Sequence, residues 1–242
     1  GTRPDTSGPY FKPVKWEASE KIAAALSGAL AGANAEMRRW LALELQKGKV
    51  DLPELMPLFR KLAATDATFR SAAVGLFSDR PALPPGAVDL LRDTALSEKD
   101  EPALRARAVR ALLRATRDAS ALDAAVEAVA AMGSGADRGD EALRVWDEFV
   151  RDPRHGRNLG RFQKLVETGT AAQRLLGFGV LLNAATQRSV SRESKAQAAA
   201  AIEQAWGKPE NAAPLLTALS RTGSDQFAYQ VRAHLKDSRP EV

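Results

Sequence analysis

The chain reads as an all-α protein built from antiparallel helix pairs stacked in series, and three observations predict this. From Trp16 onward, apolar residues recur at three- and four-residue spacing, and no stretch sustains the two-residue alternation of a half-buried strand. Breaks recur at short intervals and carry Gly, Pro, Asn or Asp, so successive helices should turn back on one another. An arginine-centred pattern returns at positions 38, 70, 105, 144 and 174, with steps of 32, 35, 39 and 30 residues.

Taken in order, residues 1–15 are rich in Gly, Pro and polar side chains and read as a linker or irregular arm, with Tyr10 and Phe11 as anchors. The helical array is expected over 16–242. Helices are expected at 16–31 and 34–47, closed by Gly32 and Gly48. Helices 52–64 and 66–78 divide at Asp66, and Pro84-Pro85 opens 85–96. Helix 101–116 follows Asp100 and carries Pro102 in its first turn, and Asp118 opens 118–132. A glycine-rich loop, Gly133–Gly139, leads to 138–151, and Asp152-Pro153 ends it. Helices 157–168 and 170–184 meet at Gly169. Helices 191–206, 210–221 and 224–236 follow, broken at Pro209 and Gly223.

The repeated unit is clearest at Asp100-Glu101-Pro102-Ala103-Leu104-Arg105-Ala106-Arg107-Ala108-Val109, running on to Leu112. Its skeleton is Asp, Pro, an apolar residue, Arg, a small residue three later and an apolar residue at seven. Asp66…Phe69-Arg70…Ala73…Phe77 repeats it without the proline, as does Met37-Arg38…Leu41…Leu45. Gln173-Arg174…Gly177…Leu181 fits from the arginine on, and Leu143-Arg144 is a degenerate copy. Asp accepts from orphan N–H groups at the helix start. Pro is tolerated in the first turn. The small residue permits close helix approach. The arginine stem packs while its head reaches a carboxylate or carbonyl of an adjacent turn.

This pattern resembles the HEAT repeat, in which the second helix of each pair opens with Asp-x-Pro-x-Val-Arg or a variant. The resemblance spans roughly residues 16–242 and implies a right-handed α-solenoid of about six and a half helix pairs. The terminal Asp237-Ser238-Arg239-Pro240-Glu241-Val242 reads as the opening of another such helix, so the array is expected to continue in a longer protein. Phe227–Leu235 and the Ala- and Arg-rich texture also resemble solenoid segments of large planctomycetal proteins. There a β-propeller of sugar-dehydrogenase type precedes the solenoid and a cytochrome-c-like module often follows. Propeller and solenoid together are similar to membrane-coat-like proteins. That likeness implies a scaffolding role and a periplasmic or membrane-associated place more than a cytoplasmic one.

Composition narrows the chemistry. With no cysteine there is no disulfide, thiolate nucleophile, Cys-ligated metal or attached c-type haem in this stretch. The 2 histidines, His155 and His234, are too far apart for convergent catalysis and are expected at the surface or near helix caps. No cofactor is expected. The formal charge of +5 is mild and its acids are interspersed, which permits a nucleic acid or an acidic membrane without arguing for either.

Two basic clusters and two tryptophans are candidate interaction residues. Arg107, Arg110, Arg114 and Arg117 fall within roughly 80° of one helix face, opposite Ala108, Leu112 and Ala115. Arg151, Arg154, His155, Arg157, Arg161 and Lys164 gather around the Pro153 turn. For both, the competing reading is a solvated face. Trp40 and Trp146 lie two residues after their repeat arginines, where they act either as surface anchors or as packing residues. The function expected is a non-catalytic scaffold that binds a protein or a neighbouring domain. The alternative is a HEAT-like DNA-binding protein or DNA glycosylase that sets its basic concave face on phosphates.

Overall fold

The computed structural model describes residues 19–47, 53–115, 118–134, 139–225, 227 and 231–232. Among these residues there are twelve α-helices and no strand, as the periodicity predicts. They are α1 (Ser19–Gly32), α2 (Ala35–Lys47), α3 (Met56–Thr65), α4 (Ala67–Phe77), α5 (Ala87–Leu96) and α6 (Pro102–Arg114). There follow α7 (Ala119–Ser134), α8 (Asp140–Val150), α9 (Leu159–Thr168), α10 (Ala171–Thr186), α11 (Arg192–Ala205) and α12 (Ala212–Thr222). The 1–15 arm, Arg117, His234, the Asp237–Val242 motif and most of the 224–236 helix lie outside the described residues.

Local chemistry accounts for the boundaries. Short 3-10 helices, Pro53–Leu55, Pro153–Arg157 and Pro209–Asn211, precede α3, α9 and α12. Each opens on proline, whose fixed φ suits a first turn. Gly86 takes φ +83°, a left-handed conformation natural to glycine, and so delays α5 to Ala87. Thr170 and Gln173 form a reciprocal capping box at the start of α10.

The chain divides into two compact units, 1–76 with 84–86, and 77–83 with 87–242. In the first, Phe59 of α3 meets Phe69 of α4 edge-on, with centroids 5.4 Å apart. The Asp66 carboxylate accepts from the Phe69 N–H at 2.9 Å, as expected of a helix cap. Arg38 of α2 donates through Nε to the Leu30 carbonyl at 3.1 Å and through Nη2 to that of Ala31 at 3.4 Å. These are carbonyls of the last turn of α1, which have no partner within their own helix.

The second unit repeats the device. Arg105 of α6 donates through Nε to the Ala95 carbonyl at the end of α5, at 3.0 Å. Arg144, the degenerate copy, is exposed and lies 3.8 Å from Glu141 on its own helix. Arg105→Ala is therefore expected to lower stability by about 1.5–3 kcal/mol, as for a lost hydrogen bond from a charged group. Arg144→Ala should stay within about 0.5 kcal/mol. Equal urea midpoint shifts for the two variants would refute the role assigned to the arginine.

The small position behaves as its spacing implies. Ala73 and Ala108 are fully buried. At Gly177 an added Cβ would sit 3.0 Å from the Phe162 carbonyl oxygen, so α10 lies close against α9.

The helices of the second unit form two sets. α6, α8, α10 and α12 pack in unbroken succession. In the other set α5 packs on α7 and α9 on α11, but no comparable packing joins α7 to α9. α7 leans on α10 instead.

Candidate functional site: a groove between α7 and α9

Where α7 and α9 fail to meet, an open groove of about 1820 Å³ remains. Its walls come from the end of α6, from α7, the Pro153–Arg157 turn, α9 and the start of α11.

The turn is built from the Asp152-Pro153 break. Asp152 Oδ1 accepts from the Arg154 N–H at 2.9 Å, and the Arg154 guanidinium folds back onto the same carboxylate. Burial alone would raise the Asp152 carboxyl, but the Arg154 bonds outweigh it and hold the group below its ordinary value. Arg154 is raised in turn by the same pair.

His155 comes next and departs from the surface or cap-edge position expected of it. It is only 4% exposed, with its ring 4.5 Å from that of Phe149 and 4.8 Å from that of Phe162. Burial pushes its pKa down to about 4, against the pull of Asp152 and of a hydrogen bond to the Phe149 backbone. Nε2 is buried with no hydrogen-bond partner among the described residues. The ring fastens the turn between α8 and α9.

The second predicted cluster is thus brought together along one groove except for Arg151, which pairs with Asp147 of α8 at 3.5 Å. Arg154 is engaged by Asp152, and Arg161 reaches across to Asp123 of α7. Arg157 and Lys164 line the groove, are exposed and have no partner among the described residues. Leu113, Leu122 and Leu165 line it as well, each partly exposed.

The first cluster fares differently. Arg107 is exposed. Arg110 binds Glu148 of α8 through two bonds, at 2.7 and 2.9 Å, and Glu141 at 2.9 Å. Its hydrogen bonds to Glu148 raise it above its ordinary value despite partial burial. Arg114 donates to the Ser78 carbonyl at 3.0 Å and pairs with Asp79. Arg110 and Arg114 therefore tie α6 to its surroundings within the unit, and no open guanidinium row forms among the described residues there. Only tertiary contacts reveal this, because the paired acids lie 31 to 38 residues away.

The tryptophans separate. Trp40 is 55% exposed on α2, beside exposed Met37 and Leu43. Trp146 is only 2% exposed and is no surface anchor. Its indole packs where Gly133 and Gly179 leave room and where Arg221 lies over the ring, 5.2 Å from the centroid.

Among the described residues, no group of His, Cys, Asp or Glu is arranged to hold a metal ion, and no helix is long and apolar enough to cross a membrane. No family model, curated protein or solved structure matches this chain.

Proposed function

We propose that the chain is a non-catalytic protein-interaction scaffold, a right-handed HEAT-like α-solenoid that receives a protein partner in the groove between α7 and α9. The observation that carries this is the character of the groove. Among the described residues, four carboxylates, Asp118, Asp123, Glu127 and Asp152, line it with four cations, Arg154, Arg157, Arg161 and Lys164. Partly exposed leucines lie among them. A phosphate-binding surface gains affinity from an excess of cations, and balanced charge supplies none. Polar groups around an apolar strip are the anatomy of a protein interface. The shared role of Arg38 and Arg105, each tying a helix start to the end of the preceding helix, supports the repeat reading. The DNA-binding alternative relied on the first arginine cluster, and Arg110 and Arg114 already hold carboxylates there.

A photo-crosslinking residue at Leu165, introduced into the protein in its own cell, tests this. Protein adducts are expected from this position and not from the exposed control Glu203 on α11. Absence of adducts at 165, together with saturable DNA binding that weakens steeply with salt, would replace the scaffold by the alternative.

A further inference from the structure

We infer that the segment received by this groove is an acidic amphipathic helix of the partner protein; the inference rests on the scaffold reading above. Charge bookkeeping within the groove points to it. Asp152 neutralises Arg154, and Asp123 neutralises Arg161. Asp118 caps α7, accepting from the Ser120 N–H at 2.9 Å and its hydroxyl at 2.7 Å. Among the described residues, the charges left without an opposite partner are positive at Arg157, in the turn before α9, and at Lys164 on α9, and negative on the α7 side, at Asp118 and Glu127.

The start of α9 adds to the positive wall. Its N-cap residue, Asn158, makes no side-chain cap, so the positive end of the helix dipole is not offset by its own cap. The occupant must therefore turn carboxylates toward α9.

Spacing defines it further. Arg157 closes the 3-10 segment before α9, and Lys164 lies on the second turn of α9, seven residues on. A partner helix meets both when its carboxylates lie seven positions apart, two turns along one face. Its apolar stripe then falls beside Leu113, Leu122 and Leu165.

The test is a charge exchange read by fluorescence anisotropy on the whole chain. The probe is a labelled sixteen-residue Leu/Ala helical peptide with two glutamates seven positions apart. Its counterpart carries lysines there. The glutamate peptide is expected to bind the wild-type chain at least about tenfold more tightly than the lysine peptide. Arg157→Glu with Lys164→Glu should invert that order, and Arg157→Gln with Lys164→Gln should abolish the preference. Both positions are exposed, so helicity by circular dichroism should be unchanged. Lys208→Glu, outside the groove, should alter nothing.

No saturable binding of the glutamate peptide at millimolar concentration, or a preference that survives charge reversal, overturns the inference. So does tighter, reversal-sensitive binding of duplex DNA or phosphatidylserine vesicles. If photo-adducts at 165 still identify a protein while the exchange fails, the scaffold reading stands and only the acidic-helix assignment falls.

Discussion

Replacing Trp146 with alanine is expected to destabilise the second unit by about 3–5 kcal/mol, the range for truncating a large buried aromatic residue. The indole is nearly inaccessible, and it stands at a junction of four helices. It projects from α8, lies 3.5 Å from where a Gly133 Cβ would be on α7, and has Arg221 of α12 over its ring. On α10 it occupies the space above Gly179, where an added Cβ would fall 2.5 Å from Cζ2 and 2.8 Å from Cη2. The indole N–H has no hydrogen-bond partner among the described residues, so the ring acts through packing.

A second substitution tests that account. In the wild-type chain Gly179→Ala should cost about 1–3 kcal/mol through overpacking. In the Trp146→Ala background the clash with the indole disappears. Alanine's better helix propensity, about 1 kcal/mol, then offsets what remains against Val150 Cγ2, 2.9 Å from the added Cβ. The two effects should therefore be strongly non-additive in urea denaturation. Equal costs in both backgrounds would mean that the ring and the glycine are not packed as described.

His155 should make stability depend on pH over a defined window. Its pKa is about 4 when folded, against an ordinary value of 6.5. Above pH 6.5 the ring is neutral in both states and nothing is lost. As pH falls from 6.5 toward 4, the unfolded chain binds a proton that the buried ring refuses, so unfolding becomes progressively easier. The full loss is about 3 kcal/mol, reached near pH 4. Asp152, whose folded value lies below its ordinary 3.8, acts in a lower window. Its contribution is present above about pH 4 and is lost as pH drops further.

His155→Phe keeps an aromatic ring between Phe149 and Phe162 and removes the titration. Its stability should be flat between pH 6.5 and 4, where the wild-type chain declines. Parallel curves for the two proteins, measured by thermal melts across that range, would show that burial of His155 is not the cause.

Much of the helix order was legible in the residues because its causes are local. Three-to-four periodicity, aspartate caps and proline first turns act within a few residues, so the expected helix positions return with small boundary shifts. Gly86 illustrates the shifts: a left-handed residue after Pro84-Pro85 moves the start of α5 to Ala87. The repeat arginine was legible in the same way at Arg38 and Arg105, whereas Arg174 keeps its Nε buried with no hydrogen-bond partner among the described residues. For the first two the target is the end of the preceding helix, only 8 residues away for Arg38 and 10 for Arg105.

The candidate site was legible only in part. Arg154, Arg157 and Arg161 stood together in the sequence because a turn gathers them. Which of them would be neutralised depends on Asp123, from a helix that periodicity cannot place beside α9. Arg110 and Arg114 looked free for the same reason, since their acids belong to other helices. His155 looked like a cap-edge residue because its neighbours in sequence are charged, while Phe149 and Phe162 close over it from two helices.

An all-helical chain, its punctuation and the ties of Arg38 and Arg105 to the preceding helix could be read from the residues alone, because all are short-range consequences of backbone geometry and hydrogen bonding. Packing settles that α7 and α9 stay apart, that Trp146 is interior, and that Arg157 and Lys164 have no partner among the described residues. Those outcomes depend on which side chains meet across tens of residues. Steric fit, as between Trp146 and Gly179, and Coulomb pairing, as between Arg161 and Asp123, are properties of the packed chain and not of any local stretch.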